Sequence, residues 1–432
     1  MAQTYKLSLT SAIIINLNIM LGTGIFINSV SLTQQAGAFS FAPYLIIGVL
    51  LIPLIIAMAS LINQQEDGSF YGIAKSELGQ FWGFISTWAY FIAKPASAGL
   101  MIHFCCHLFR QLFPQLQVIS LLSFDTIVIA TFFVLNLFNM RIGRSIQFSF
   151  IILKSIPIIF IILSGVWFLN PHNFSYIELP FAGIFGTLSL AIYAFTGFEA
   201  SLSLSQHIEN AQKNAPRAII ISYLIVLSIY MLFQIGYYGA LNLTSLTQTG
   251  QLDGIALFLQ SIYQTVHPHL KALLYICMGT SALGGAYGIL FSNLWNLHGL
   301  AAHKHVPLHS HLTTKNTAGI AYWCLFVEVI MCVAYLFTTN ANPTTLRQIN
   351  AFGCTLAYTI SITAFAFLAF KTLKKRWAKL VAFLALCSCS IFIIACVNGF
   401  RINGPTALYA FITFLIIGAL GYYSTKTCAL KL

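Results

Sequence analysis

Charge is what this chain has least of: Asp, Glu, Lys and Arg make up 7% of its 432 residues, and only nine are acidic. A water-soluble domain carries roughly a quarter of its residues as charges, so a soluble globular fold is excluded. A cleavable leader is missing as well, because the polar stretch 1–5 is short and the first apolar run continues as a spanning segment. No low-complexity tract occurs, and the connections between apolar runs leave no room for a soluble domain. Cysteine is not scarce, at ten, but most of it, including Cys105, Cys106, Cys277, Cys332, Cys387 and Cys389, lies inside apolar runs. It has neither metal-ligand spacing nor a paired external pattern, and reads as small packing residues.

What the chain does have is apolar length. It is 58% hydrophobic with a mean hydropathy of +0.84, the composition of an all-α polytopic membrane protein. Twelve spans are expected, at about 9–36, 41–63, 81–109, 123–139, 147–169, 183–206, 218–241, 270–300, 318–338, 346–370, 379–399 and 405–424. The first, third and eighth are long enough to tilt or break. With the N-terminus inside, fifteen of the 21 Lys and Arg residues fall in cytoplasmic segments. Arg110, Lys271, Arg347 and Arg401 fall on the other side, and Lys94 and Lys154 lie within the membrane. That bias puts both termini in the cytoplasm. It also makes the net charge of +12 a topology signal rather than a surface for nucleic acid.

Two spans are interrupted at corresponding places. Gly22-Thr23-Gly24-Ile25-Phe26 lies midway through the first, and Phe195-Thr196-Gly197-Phe198-Glu199 midway through the sixth. A continuous helix bonds every backbone group to itself; breaking it at mid-membrane frees N–H and C=O groups, which is tolerated only where they line a cavity. Paired breaks opening two halves of a repeat point to a transporter binding site. Five spans per half is an odd number, so the second half enters from the opposite side: repeat one at 9–169, repeat two at 183–370, and two peripheral helices at 379–424 after the basic linker 371–379. The whole of 1–432 reads as one transmembrane domain. The connection 242–270 reads as an ordered or semi-ordered surface loop from its Thr, Gln and Gly content.

The motifs form an ordered series. Leu21-Gly22-Thr23-Gly24-Ile25-Phe26 opens it. Asp67-Gly68-Ser69-Phe70-Tyr71-Gly72 follows, then Leu78-Gly79, Gly83-Phe84 and Trp88, then Ala194 to Glu199, Glu209-Asn210 and Asn214-Ala215-Pro216-Arg217. Over about residues 8–370 this resembles the amino acid–polyamine–organocation transporters, which share the five-plus-five architecture of the leucine transporter. Ser69 stands where that family usually has a second glycine, and the loop from Ala301 to Pro307 lacks its Ala-Arg-Asp-Gly run. The resemblance implies a secondary active transporter that moves an amino acid or related amine by alternating access, coupled to protons or working by exchange. It implies no enzyme activity, cofactor or bound metal; the expected partners are the solute, protons and the lipid of a bacterial inner membrane.

The expected site follows. In the first break the N–H groups around Thr23, Gly24 and Ile25 begin the second half-helix, whose positive end suits a carboxylate, and Gly22 and Gly24 admit a ligand close to the backbone. In the second, the carbonyls of 191–194, from Ala191 to Ala194, end a half-helix and suit an ammonium group. Gly197 completes that break. In the resemblance, Tyr193 and Phe195 act as gates. Glu199 is an intramembrane carboxylate, which marks function by default; it either locks the broken helix or takes up a proton. Lys154 looks like the fifth-span lysine that takes the place of a sodium ion in proton-coupled relatives; the other reading is a permanently paired or snorkelling lysine. Lys94 reads either an acidic side chain on the solute or pairs with Glu199, with Pro95 able to kink its helix. Glu328 has no evident partner, and His303, His305, His309 and His311 read as a solvated loop. Three alternatives stay open: a sodium-coupled symporter of the same fold, a non-transporting amino acid sensor, and an intramembrane metalloenzyme using the histidines. The tail, only about eight residues beyond the last expected span, speaks against the sensor.

Overall fold

The computed structural model describes residues 6–64, 69–138, 140–175, 180–242, 250, 253–263, 267–373 and 375–429. Asp67 and Gly68 of the second motif, Lys374 of the basic linker and parts of the 242–270 connection lie outside the described residues.

The chain is helical, and no strand occurs among the described residues. In order the helices are α1 (Leu9–Met20), α2 (Gly24–Ala36), α3 (Ala42–Gln64), α4 (Phe70–Leu78), α5 (Gln80–Leu112), α6 (Leu121–Asn136), α7 (Met140–Trp167), α8 (Phe181–Phe195) and α9 (Ala200–Ser203). There follow α10 (Ala211–Gly239), α11 (Gly254–Ile262), α12 (Pro268–Ala302), α13 (His309–Leu312), α14 (Tyr322–Thr338), α15 (Pro343–Leu368), α16 (Arg376–Asn403) and α17 (Thr406–Ala429).

Nine helical segments among the described residues are long and apolar enough to cross a membrane, and α6 and α14 are shorter apolar helices. The long helix α5 is not among the nine. It buries Ser86, Thr87, Lys94, Ser97 and His103 at the middle of the bundle, packed against α12, α15, α4 and α14. Such a helix carries polar groups because its neighbours, not lipid, receive them.

Local chemistry sets the ends. Ser8 Oγ accepts from Ser11 N at the start of α1, Ser69 Oγ from Gly72 N at the start of α4, and Asn342 Oδ1 from Thr345 N at the start of α15. Each takes one of the first-turn N–H groups that a helix cannot bond internally. The 242–270 connection differs from its reading as a loop: it contains α11, whose Ile255, Leu257, Phe258 and Leu259 are buried. Tyr237 Oη donates to Gly254 O at its start. Arg347, counted among the cations of the outer side, is fully buried at the start of α15, with Nε donating to Pro343 O, Nη1 to Asn28 Oδ1 and Nη2 to Thr344 Oγ1. Acceptors on its own first turn and on α2 let the guanidinium turn inward. Helices α16 and α17 lie on the outside of α15, and α16 also packs on α3 and α8.

Candidate functional site

The first break is present where the glycines stand. Helix α1 ends at Met20, Leu21 leaves helical geometry at ψ 47°, and α2 restarts at Gly24. No backbone acceptor among the described residues takes the N–H groups of Gly22, Thr23, Gly24 or Ile25. They are the first-turn donors of α2 and the stretch just before it, left open as the free positive end of a helix dipole.

The carbonyl end of α1 is the opposite case, because three side chains fill it. Lys154 Nζ, from α7, donates to Asn18 O at 2.7 Å and Leu21 O at 3.0 Å. Ser281 Oγ, from α12, donates to Leu21 O at 3.2 Å. Tyr230 Oη, from α10, donates to Met20 O at 2.5 Å. Lys154 thus ties α7 to the carbonyl end of α1, and Ser281 ties α12 to the same carbonyl of Leu21.

The second break falls between α8 and α9. Thr196 is extended, at ψ 133°, and Gly197 has φ 129°, a conformation that side chains rarely adopt. Its N–H donates to Glu199 Oε2 at 2.8 Å. Thr196 Oγ1 donates to Tyr193 O at 2.8 Å and accepts from Asn350 Nδ2 at 2.8 Å. The expectation of open carbonyls from Ala191 to Ala194 needs correcting. The helix runs on to Phe195, so Ala191 stays inside it, and Thr196 N bonds Ile192 O and Tyr193 O; Ala194 O has only a share of the one Tyr230 hydroxyl proton, at 2.8 Å, which Met20 O also faces. One tyrosine hydroxyl therefore lies against Met20 O of one break and Ala194 O of the other.

The two breaks touch. A side chain on Gly24 would begin 3.1 Å from Ala194 Cα and 3.2 Å from its Cβ, so only glycine fits without displacement. Thr23 Oγ1 and Tyr193 Oη are 2.9 Å apart. Phe195 packs among the rings of Tyr44, Tyr223 and Tyr230. All of these residues are buried.

A family model described as an amino acid permease matches residues 7–422. The chain belongs to the amino acid permease family. It is 23% identical over 377 residues to the serine/threonine exchanger SteT of Bacillus subtilis (strain 168), covering 86% of this chain and 84% of that protein. It is 22% identical over 383 residues to the aromatic amino acid transport protein AroP of Escherichia coli (strain K12), covering 83% and 79%. With the b(0,+)-type amino acid transporter 1 of Mus musculus it shares 27% identity over 262 residues, 56% of this chain and about half (53%) of the mouse protein. The family and these relatives are transporters, so the permease is an integral membrane protein and not an enzyme. The metalloenzyme reading falls with that; among the described residues no three of His, Cys, Asp and Glu are grouped as a metal ion would require.

Elsewhere in the permease, Lys94 lies 2.9 Å from Glu199 Oε1, an ion-pair distance although not aligned as a hydrogen bond. Tyr90 Oη donates to the same oxygen at 2.9 Å, and Lys94 Nζ lies 4.9 Å from the Tyr90 ring centre. Of the two readings of Lys94, the structure contains the internal pair. Pro95 lacks the N–H that would bond Phe91 O, and Asn293 Nδ2 from α12 takes that carbonyl at 3.1 Å. Asn293 Nδ2 also donates to Glu328 Oε1 at 2.9 Å, which supplies the partner that carboxyl lacked in the sequence. Farther along, a cavity of about 90 Å³ is lined by Thr87, Ser203, His207, Trp295, Asn296 and His298 among others. It lies at the end of the molecule where Leu7 N donates to His207 O and Glu209 N to Leu7 O.

The histidine loop departs from its reading as a solvated loop. His305 is buried, its Nε2 2.6 Å from Tyr71 Oη, while His303 stacks on the Tyr71 ring with centres 4.2 Å apart. Burial, then the charges of His303, Lys426 and Lys75, lowers the His305 pKa to about 4. Burial, then Lys315, His298 and Lys6, does the same for His207, also to about 4. Tyr230, Asn28 and Tyr90 were not legible as site residues: in a chain of 19 tyrosines, no spacing marks the one between the breaks.

Proposed function

We propose that this permease is a secondary active amino acid transporter with twelve spans in a five-plus-five inverted repeat (9–169 and 183–370), two further helices (379–424) and both termini in the cytoplasm of a bacterial cell. The solute binds between the breaks. Its carboxylate takes the open N–H groups of Gly22, Thr23, Gly24 and Ile25, and its ammonium group replaces the Tyr230 hydroxyl at Ala194 O. Gly197 supplies the flexible joint, Tyr193 covers the solute, and Phe195 backs it from the neighbouring aromatic cluster. The bundle of α1, α2, α3, α8, α9 and α10 rocks against α5, α6, α12 and α14. Amino acid transport is supported by the serine/threonine exchanger and the aromatic amino acid transport protein it resembles.

Proton coupling or exchange is favoured over sodium coupling by one arrangement. Lys154 Nζ already donates to Asn18 O and Leu21 O, and Ser281 Oγ to Leu21 O, so the carbonyls that could otherwise hold a sodium ion are engaged.

The single observation that carries the reading is the contact of Gly24 with Ala194 beside four unbonded N–H groups. In proteoliposomes containing purified protein, Gly24→Val is expected to abolish uptake of a panel of radiolabelled amino acids while the protein still inserts and stays monodisperse. Uptake at the wild-type rate by that variant would refute the site.

A further inference from the structure

One stripe of α5 carries Thr87, Tyr90, Lys94, Ser97 and Met101, three or four residues apart and so on one face. Its two ends meet different surroundings. The Met101 methyl occupies the space that a side chain on Gly22 would enter, and Ser97 Oγ reaches Tyr193 Oη at 3.5 Å. Thr87 lines the 90 Å³ cavity with Ser203 and Asn296. Lys94 stands between these ends, two helical turns or roughly 10 Å from Thr87, and holds Glu199 at 2.9 Å. A solute that leaves the breaks for the cavity along this stripe must pass the pair.

Both partners are almost wholly buried, Lys94 at 2% exposure and Glu199 at 0%. Separating them with nothing in exchange strands two desolvated charges, which is the costly way to break a buried ion pair. The solute that avoids this offers an ammonium to Glu199 and a carboxylate to Lys94 at the same moment.

We propose that the Lys94–Glu199 pair is the inner barrier of the pathway and opens by charge exchange with the solute, which selects zwitterionic amino acids over amines that lack a carboxylate. This rests on the transporter reading above and narrows its substrate class. A simple amine satisfies Glu199 and leaves Lys94 bare; a simple carboxylic acid does the reverse. Lys94 on this account reads the α-carboxylate that every amino acid carries, so no acidic side chain is needed. The barrier is also tied to the hinge. Glu199 Oε2 holds the Gly197 N–H, so a shift of that carboxylate toward the solute loosens the left-handed residue on which α9 turns.

The test uses full-length purified protein and matched compounds: phenylalanine, serine and threonine, their decarboxylated amines, and their deaminated acids. Thermal stabilisation of the wild type is expected from amino acids alone. Lys94→Met, which leaves Glu199 without its cation, is expected to shift the amine-to-amino-acid affinity ratio at least tenfold toward the amine, and an unchanged ratio overturns the proposal. A ligand-free measurement accompanies it. With the ten native cysteines replaced by serine or alanine, Ser97→Cys in inside-out vesicles is expected to resist an impermeant thiol reagent, and to react several-fold faster when combined with Lys94→Met or Glu199→Gln. Equal rates overturn the barrier. If either single variant fails to insert, the double variant, which buries neither charge, carries the same labelling test. A wild type stabilised by none of the three classes overturns the transporter reading and the selection with it, whichever way the labelling falls.

Discussion

One amine from α7 meets the carbonyl end of α1. Among the described residues, Lys154 supplies the only side-chain donor to Asn18 O, and it shares Leu21 O with Ser281. Replacing it with methionine keeps the length of the side chain and removes the donors; an unmet buried carbonyl costs about 1–3 kcal/mol. Lys154→Met is therefore expected to lower the melting temperature in detergent and to remove the pH dependence of uptake in proteoliposomes. A pH profile identical to the wild type would exclude the lysine from coupling. Its position was conspicuous in the sequence because a lysine within Phe150-Ile151-Ile152-Leu153-Lys154 is costly in a membrane span, although the sequence alone did not separate a paired or snorkelling amine from a functional one. Glu328 was conspicuous for the same reason, yet its partner was not, since Asn293 lies 35 positions earlier on another helix. The burial of Arg347 was hidden for a related reason, since only the fold brings Asn28 of α2 within 2.8 Å of it.

At the scale of elements, the two breaks were the most legible feature, because Gly22-Thr23-Gly24 and Thr196-Gly197 are poor helix formers at the depth where helix is otherwise obligatory. What closes them was not legible: the carbonyl ends are met by tyrosine, serine and lysine from other helices. Helix α11 was missed because its Gly254 start and short length resemble a loop; its register shows only once α2 is there to pack against. The connections at the other end hold a pH-sensitive pair. His207 and His305 are both kept neutral, with pKa values lowered from 6.5 to about 4. An imidazole that binds protons more weakly folded than unfolded adds stability above pH 6.5, and that contribution is lost as the pH falls toward 4. Melting temperature is expected to drop between pH 7 and 5, and His305→Gln, which keeps a polar group beside Tyr71, should flatten the decline. A steeper decline in that variant would show that the imidazole is not the responsible group.

For the whole molecule, helices occupy each of the twelve stretches expected from hydropathy, with the first and sixth in two pieces. Hydropathy marks where a helix is needed but not which of its faces meets protein, so the central position of α5 was beyond it. The cations bear on orientation. Lys75 and Lys426 both act on His305, and Lys6 and Lys315 both act on His207, so residues from the N-terminal segment, the α4 region, the α13–α14 connection and α17 share one end. Lys271 and Asp253, beside His107 and Gln111, lie together near α11. Short connections rich in Lys and Arg stay on the cytoplasmic side during insertion, so the end that holds Lys6 and Lys426 should face inward, and the cavity beside His207 should open there. A reporter active only in the cytoplasm, fused at the N-terminus or after residue 429, is expected to be active in both fusions. An export-dependent reporter inserted at Gly250 should be active as well. Activity of the export reporter at either terminus would invert the molecule and make the Lys94–Glu199 barrier an outer one.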